Sequence, residues 1–339
     1  MKRLLGRIGL ALAGVGLVLV VAECVARIII ARRPPTRPPP LATELRKLPQ
    51  IESWKLAAAT PNLRGLHAGV LFETNSAGFR GPERSPEKPP GVFRIVVIGD
   101  SVAMGWGVAY EDTYSARVEA ALGSTHDHRS VEVLDLGVAD SNAGRAVSHL
   151  EDLGMSFDPD MVVYGLTLND IESDHYRRSF RLARTLPLSL WTSPSYLWRL
   201  LGRRWMSLQT ALLVPRGSYL YELDDNYFHN PAAWELMLDE LDELAGISRE
   251  HDMCTVVLVH THMSTLNFLH PYRRHYQAVG DATTARGFFV AQSLPSFLGE
   301  SEGELWVSPI DPHPSAEGHR ILADVLLRRL QTLPASCWN

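Results

Sequence analysis

Four residues spread along the chain have the side chains that acyl transfer by a serine requires. Ser101 offers a hydroxyl, Asn169 an amide, and His313 an imidazole with the Asp311 carboxylate two positions before it. A serine hydroxyl is a weak nucleophile until a base takes its proton, and an imidazole with a pKa of about 6.5 can do this at neutral pH. We therefore predict that Ser101 is the nucleophile of an ester-cleaving or acyl-transferring enzyme, that His313 is its base and that Asp311 orients the base.

The tetrahedral intermediate of such a reaction carries an oxyanion that needs hydrogen-bond donors. The predicted donors are the backbone N–H of Ser101, the backbone N–H of Gly137 and the side-chain amide of Asn169. Each residue alone has an ordinary explanation, since a serine after a strand often caps a helix and Asn-Asp often forms a turn. Their order along the chain is informative because each donor follows a predicted strand.

Five short runs rich in Val, Ile and other apolar residues predict the strands of one sheet. Such runs are typical of strands buried on both faces, and the helical patterns between them predict an α/β fold with an open parallel sheet between helices. Ligands of such sheets bind at the carboxyl ends of the strands. The predicted strands are Arg94–Ile98, Val131–Leu134, Met161–Gly165, Thr255–Val259 and Gly287–Val290, and the predicted helices are Glu111–Leu122, Ala143–Leu153, Pro231–His251 and Gly318–Leu330.

The sequence resembles the SGNH (GDSL) hydrolase family over about residues 75–330, and in particular its membrane-anchored, envelope-facing members. The resemblance implies a flavodoxin-like sheet of five parallel strands, a Ser-His-Asp triad, and no metal or organic cofactor. The motifs that carry it are Gly99-Asp100-Ser101 with Gly105, Asn169-Asp170, Asp311-Pro312-His313-Pro314 continuing to Gly318-His319, and a lead-in from Asn75 to Gly81.

Three positions depart from the family pattern. Asp140 stands where a glycine usually donates its N–H to the oxyanion, and Thr167 stands where the third motif usually has glycine. One residue separates Asp311 from His313, where two are commoner. A Ser-His dyad oriented by a carbonyl is therefore the alternative to the triad.

The N-terminal region predicts a membrane anchor followed by a spacer. Ile8–Ala31 is apolar apart from Glu23 and Arg27, whose spacing of four allows them to pair on one helix face. At about 1.5 Å per residue this helix reaches across a bilayer core of roughly 30 Å, and a cleaved signal peptide is the alternative. The predicted segments are a transmembrane anchor at 1–32, a Pro-rich linker at 33–50 and an SGNH hydrolase-like domain at 51–334 with an insertion at about 172–230.

The insertion carries three tryptophans at intervals of seven, namely Trp191, Trp198 and Trp205. This spacing stacks aromatic rings on one face of a helix. The pattern predicts either a helix packed on the core through its aromatic face, or an interfacial helix or lid that contacts sugar or lipid.

His260 and His262 flank Thr261 at the end of the fourth predicted strand. Alternate residues of a strand face the same side, so both imidazoles are expected to reach the cleft and contact the substrate. A structural role in the core is the alternative. No carboxylate or cysteine accompanies them in the sequence as a metal site requires.

The composition excludes other function classes. The formal net charge of −5 gives no basis for nucleic-acid binding. The cysteines at 24, 254 and 337 form no zinc-type motif, and a disulfide between Cys254 and Cys337 is an open possibility in an oxidising compartment. Neither a metal nor a cofactor is expected.

Together these features predict a single-pass membrane protein with its catalytic domain outside the cytoplasm, on the periplasmic or cell-surface side. The predicted activity is that of a serine esterase acting on O-acetyl or other short O-acyl esters of an envelope glycan or lipid. Acyl transfer to a glycan needs the same residues, with a sugar hydroxyl in place of water. A non-catalytic glycan-binding or assembly protein is the third hypothesis.

Overall fold

The computed structural model describes residues 2–31, 44–57, 59–125, 127–172, 195–198, 219–308 and 311–339. The chain begins with helix α1 (Lys2–Ala31) and a short helix α2 (Ser53–Ala57), followed by an antiparallel hairpin of β1 (Arg64–His67) and β2 (Val70–Glu73).

The central sheet has five parallel strands, as the sequence predicts. They are β3 (Val92–Gly99), β4 (Ser130–Asp135), β5 (Met161–Leu166), β6 (Cys254–Val259) and β7 (Phe289–Gln292). Their order across the sheet is β4-β3-β5-β6-β7. The predicted α/β fold with helices on both sides of a five-stranded parallel sheet is therefore confirmed.

Helices connect and cover the strands, and a second hairpin precedes the last helix. The helices are α3 (Ser101–Met104), α4 (Tyr114–Leu122), α5 (Ala143–Asp152), α6 (Tyr219–Phe228), α7 (Pro231–Glu250), α8 (Arg273–Ala285), α9 (Leu294–Phe297), α10 (Glu302–Leu305) and α11 (Ala316–Leu330). The hairpin pairs β8 (Trp306–Ser308) with β9 (Asp311–Pro314) in antiparallel orientation.

The core lies in two layers, one on each face of the sheet. Val96 and Ile98 of β3 pack into the layer that includes residues of α5 and α7, whereas Ile95 and Val97 pack into the layer that includes residues of α4 and α11. Alternate residues of a strand point to opposite faces, so a strand buried on both sides must be apolar throughout.

Helix α1 is continuous, and Arg27 pairs with Glu23 at 3.0 Å as the spacing predicts. The Glu23 carboxylate also accepts hydrogen bonds of 2.9 Å from the N–H groups of Tyr196 and Leu197, so α1 contacts the insertion. Within the described ranges, no helix combines the length and the apolar character that crossing a membrane requires. The prediction of a transmembrane anchor is therefore not supported there.

The predicted aromatic stripe of the insertion falls mostly outside the described residues. Trp191 and Trp205 lie outside the described residues, and Trp198 is 55% exposed.

The disulfide that the sequence left open is present: Cys254 and Cys337 are bonded, with their Cα atoms 5.4 Å apart. It ties the C-terminal residues to the first residue of β6.

Candidate active site

Ser101 is the first residue of α3, directly after the turn at Asp100 that follows β3. The Asp100 carboxylate caps α3 by accepting the N–H of Val102 at 2.9 Å, which ends the strand and begins the helix at the serine. Gly99 has a φ of +150°, and a Cβ there would lie 2.5 Å from the carbonyl oxygen of Gly165 in β5. Glycine at this position therefore lets the ends of two neighbouring strands approach each other beneath the half-buried Ser101.

The structure brings Ser101, His313 and Asp311 together in one relay. Ser101 Oγ lies 3.0 Å from His313 Nε2, and His313 Nδ1 lies 2.5 Å from Asp311 Oδ1. The backbone N–H of His313 donates to the same carboxylate oxygen at 3.1 Å. The histidine and aspartate side chains are 28% and 25% exposed, so the relay is open to a substrate from solvent.

Trp106 belongs to the same site, although it is not among the residues predicted from the sequence. Its indole Nε1–H donates to Asp311 Oδ2 at 2.9 Å, and its ring stacks on the His313 ring at 5.0 Å between centroids, with 20° between planes. His67 of β1 packs edge-on against the indole at 4.1 Å. The available signal was a large aromatic residue immediately after Gly105 of the nucleophile motif.

The surroundings keep Asp311 ionised. Burial opposes its charge, but hydrogen bonds from His313 and Trp106 and the attraction of His313 outweigh that effect and lower the pKa of Asp311. Burial lowers the pKa of His67 to about 4, so this neighbouring ring is neutral at pH 7. A carboxylate beside a base and a neutral aromatic wall suit the stabilisation of a transient imidazolium.

Two of the three predicted oxyanion donors lie close to the nucleophile. The backbone N–H of Ser101 makes no hydrogen bond to any residue that the structure describes. The half-buried Asn169 follows β5 and interacts with Asp100, the residue before the serine. Because an amide NH₂ has two donors, Asn169 retains one for a ligand when the other is used by Asp100.

Gly137 does not supply the third donor, which corrects the sequence prediction. Its N–H donates to Asp135 Oδ1 at 3.0 Å, and a Cβ on Gly137 would lie 2.3 Å from the backbone nitrogen of Met104. Glycine is needed here because α3 packs directly on this turn, so the role of Gly137 is structural.

Asp140 has a left-handed backbone conformation. Its φ is +64°, in the left-handed region that glycine adopts most readily and that aspartate tolerates. The carboxylate side chain is exposed. Solvent therefore screens much of its charge from the neighbouring site.

Asp100 and Asp170 are buried carboxyl groups beneath the site. Burial raises the pKa of Asp100, and burial together with Asp100 raises the pKa of Asp170 well above its usual value. Asp170 accepts hydrogen bonds from Tyr164 Oη at 2.8 Å and from the N–H of Thr167 at 3.0 Å. These contacts fix the short 3₁₀ turn Leu168–Ile171 that carries Asn169.

His260 is a core residue, in contrast to its predicted role in substrate binding. It is 1% exposed, and its ring packs edge-on against Tyr114 at 5.4 Å behind Gly165. Burial lowers the pKa of His260 to about 3. The two histidines do not share a face, because β6 ends at Val259 and strand alternation ends with it.

His262 lies near enough to His313 for the two rings to interact electrostatically. The ring is half-buried; it stacks on Tyr219 at 5.6 Å between centroids and makes a tilted contact with Tyr272 at 4.7 Å, while Nδ1 lies 2.8 Å from Ser264 Oγ. Burial, with smaller contributions from His270 and His313, lowers the pKa of His262 to about 3.

A cavity of about 660 Å³ lies beside the site, but none of the relay residues lines it. Its walls include Val70 of β2, Gly107 and Val108 after the nucleophile turn, and Val307 of β8. In the described ranges, no group of three or more His, Cys, Asp or Glu side chains is placed to hold a metal ion.

No protein-family model and no curated protein matches the chain, whereas several solved structures resemble it. An alpha/beta hydrolase enzyme from the metagenome of Lake Arreo is 16% identical, with 73% of this chain and 96% of that chain covered and a TM-score of 0.44. An acetylxylan esterase from Geobacillus stearothermophilus is 14% identical, with 71% of this chain and 95% of that chain covered and a TM-score of 0.43. A putative lipolytic protein of the G-D-S-L family from Desulfitobacterium hafniense is 12% identical, with 70% of this chain and 98% of that chain covered and a TM-score of 0.43.

Proposed function

We propose that this chain is a serine esterase of the SGNH type with Ser101, His313 and Asp311 as its catalytic triad. The observation that carries the proposal is the continuous hydrogen-bonded relay of 3.0 Å and 2.5 Å at the carboxyl end of the parallel sheet. A helix-capping serine needs no histidine at this distance, and a surface histidine needs no carboxylate on its second nitrogen. The combination is the arrangement that activates a nucleophile.

The reaction proceeds in two halves. Ser101 Oγ attacks the ester carbonyl while His313 Nε2 takes its proton, and the tetrahedral intermediate expels the alcohol, which receives that proton. Water then attacks the acyl-serine, with His313 again taking a proton, and the carboxylic acid leaves as Ser101 is re-protonated. Asp311 stabilises the imidazolium in both halves.

The oxyanion is assigned to the backbone N–H of Ser101 and the side-chain NH₂ of Asn169. Both are donors at the carboxyl ends of adjacent strands, where the carbonyl of a bound ester meets Ser101 Oγ. We place the N–H of Asp140 as a third donor, on the grounds of its left-handed backbone and of its position in the family pattern.

The proposed substrate is an O-acetyl or other short O-acyl ester on an envelope glycan or lipid, outside the cytoplasm. The disulfide between Cys254 and Cys337 supports this location, because disulfides persist in oxidising compartments. Membrane contact is proposed through α1, where the side chains of Val15 and Leu17 are 59% and 66% exposed.

Hydrolysis of p-nitrophenyl acetate by the full-length protein tests the proposal. We expect Ser101→Ala to reduce turnover to the rate of buffer, while the exposed control Ser85→Ala matches the wild type. Equal turnover by Ser101→Ala and the wild type would rule out the serine mechanism.

A methyl glycoside added to the same assay separates hydrolysis from acyl transfer. The esterase proposal predicts free acetate as the product and no change in the rate of p-nitrophenol release. A faster release with an acetylated glycoside as product would identify the chain as an acyltransferase. Absence of turnover in the wild type with any short ester would favour a non-catalytic binding protein.

A further inference from the structure

The second carboxylate oxygen of Asp311 accepts a hydrogen bond that the triad chemistry does not require. Its Oδ1 accepts from His313, through both Nδ1 and the backbone N–H, whereas Oδ2 accepts from the indole of Trp106 at 2.9 Å. Among the described residues Oδ2 has no other hydrogen-bond donor. The terminal torsion of an aspartate is broad and roughly two-fold, so a donor on each oxygen is what fixes the plane of the carboxylate.

The same indole also contacts the base. Its ring lies parallel to the His313 imidazole, with 5.0 Å between centroids and 20° between planes. When His313 holds the proton of Ser101 it is a cation, and a cation within about 6 Å of an indole face is stabilised by the ring. Trp106 thus touches two members of the triad through two different parts of its side chain.

The backbone ties Trp106 to the nucleophile as well. Its N–H donates to the carbonyl oxygen of Ser101 at 3.0 Å across the turn after α3. That turn depends on Gly105, whose φ is +78° and where a Cβ would lie 2.4 Å from Thr113 Cγ2. His67 closes the other side of the indole by edge-on packing. The contacts form a ring: from Ser101 through the turn to Trp106, then to Asp311, to His313 and back to Ser101.

We propose that Trp106 is a positioning residue for the catalytic triad. It fixes the plane of the Asp311 carboxylate and keeps the His313 ring oriented with Nε2 towards Ser101 Oγ. This inference rests on the proposed function. The carboxylate is held from two directions, by the backbone N–H of His313 within strand β9 and by the indole of Trp106 from outside that strand.

The experiment compares Trp106→Phe, which keeps an aromatic ring and removes the N–H, with Trp338→Phe as a control. Trp338 packs on Phe93 near the start of β3, at the opposite end of that strand from Ser101. We expect Trp106→Phe to lower kcat on the order of 10- to 100-fold with little change in KM, as for a misplaced catalytic group. The control is expected to retain the wild-type kcat.

Coupling distinguishes positioning from a general loss of structure. If Trp106 acts through Asp311, then Trp106→Phe causes no further loss of kcat in an Asp311→Ala background, since a shared pathway makes effects non-additive. If Trp106→Phe lowered kcat by the same factor in Asp311→Ala as in the wild type, the proposal would be overturned. Wild-type kcat in Trp106→Phe would also overturn it.

A measurement without substrate keeps this test separate from the proposed function. A short bond between His313 Nδ1–H and Asp311 gives a strongly deshielded proton resonance in one-dimensional NMR. We expect this resonance in the wild type and in Trp338→Phe, and its loss or broadening in Trp106→Phe and Asp311→Ala. An unchanged resonance in Trp106→Phe would contradict the positioning role, whether or not the protein turns over esters.

Discussion

Asp311 and His313 are alternate residues of one strand, and Asp311 Oδ1 lies 2.5 Å from His313 Nδ1. Alternate residues of a strand face the same side, so a single intervening residue is enough to place the carboxylate beside the imidazole. The spacing that departs from the commoner family pattern therefore still gives a triad geometry. It does so because the segment is extended as strand β9 and paired with β8.

Replacement of Asp311 by Asn tests that geometry. An amide cannot stabilise the imidazolium and favours the wrong tautomer of His313, so we expect kcat to fall by about 10²- to 10⁴-fold with KM little changed. The measurement is steady-state hydrolysis of p-nitrophenyl acetate, with the exposed Asp239→Asn as the matched control. A loss smaller than about tenfold would favour the dyad in which a carbonyl orients His313.

Asp140 tests the electrostatics of the oxyanion site. Its carboxylate is exposed, so its repulsion of a nearby oxyanion is weak, and Asp140→Asn is expected to raise kcat/KM by at most about fivefold. Asp239→Asn again serves as the control for a change in net charge. A large fall in kcat/KM for Asp140→Asn would show instead that the carboxylate takes part in the reaction.

His262 is expected to contact the alcohol part of the substrate. Phenylalanine keeps the ring contacts with Tyr219 and Tyr272 but removes both ring nitrogens, so His262→Phe should raise KM for an acetylated sugar roughly three- to tenfold. Kinetics with p-nitrophenyl acetate, which lacks the sugar, should stay the same. An equal effect on both esters would place His262 at the reacting bond rather than at the alcohol.

His260 makes a contribution to stability that depends on pH. Its pKa is about 3 in the folded protein and about 6.5 in the unfolded chain, so below pH 6.5 the unfolded chain binds more protons and stability falls as the pH falls. At pH 5 this group costs about 2 kcal/mol of unfolding free energy relative to pH 7 and above. Asp135, whose pKa burial raises to about 6, acts in the opposite direction between about pH 6 and 4.

Urea unfolding of the wild type and of His260→Phe isolates that contribution, because Asp135 and the other groups are common to both proteins. Both nitrogens of His260 lack partners among the described residues, so the apolar ring is expected to be tolerated at pH 7. The variant should lose about 2 kcal/mol less than the wild type between pH 7 and pH 5. Parallel pH dependence in the two proteins would show that His260 is not held neutral.

The sequence predicted the strands well because each contains a short run of mostly apolar residues. Strand β3 is buried on both faces, so its pattern is unambiguous, and the nucleophile follows from where this strand ends. The two hairpins were not predicted. Strands β1 and β8 are short and mixed in polarity, and they are fixed by packing on residues distant in sequence, such as that of His67 on Trp106.

The errors in the site have the same origin. Gly137 was predicted as a donor because a glycine after a strand is typical of that role, but its packing against Met104 is a tertiary contact that no local pattern reveals. His260 and His262 were grouped by strand alternation, which requires the strand to continue beyond Val259. Trp106 was missed because its partner Asp311 lies far away in the sequence.

Covalent labelling of the protein with a fluorophosphonate, followed by peptide mass spectrometry, tests whether Ser101 is an activated nucleophile. An activated serine displaces fluoride from phosphorus, whereas an unactivated serine reacts slowly. We expect a single phosphonylated residue, Ser101, and no labelling in Ser101→Ala or His313→Phe. The absence of an adduct on Ser101 in the wild type, or equal labelling of Ser101 in His313→Phe, would contradict it.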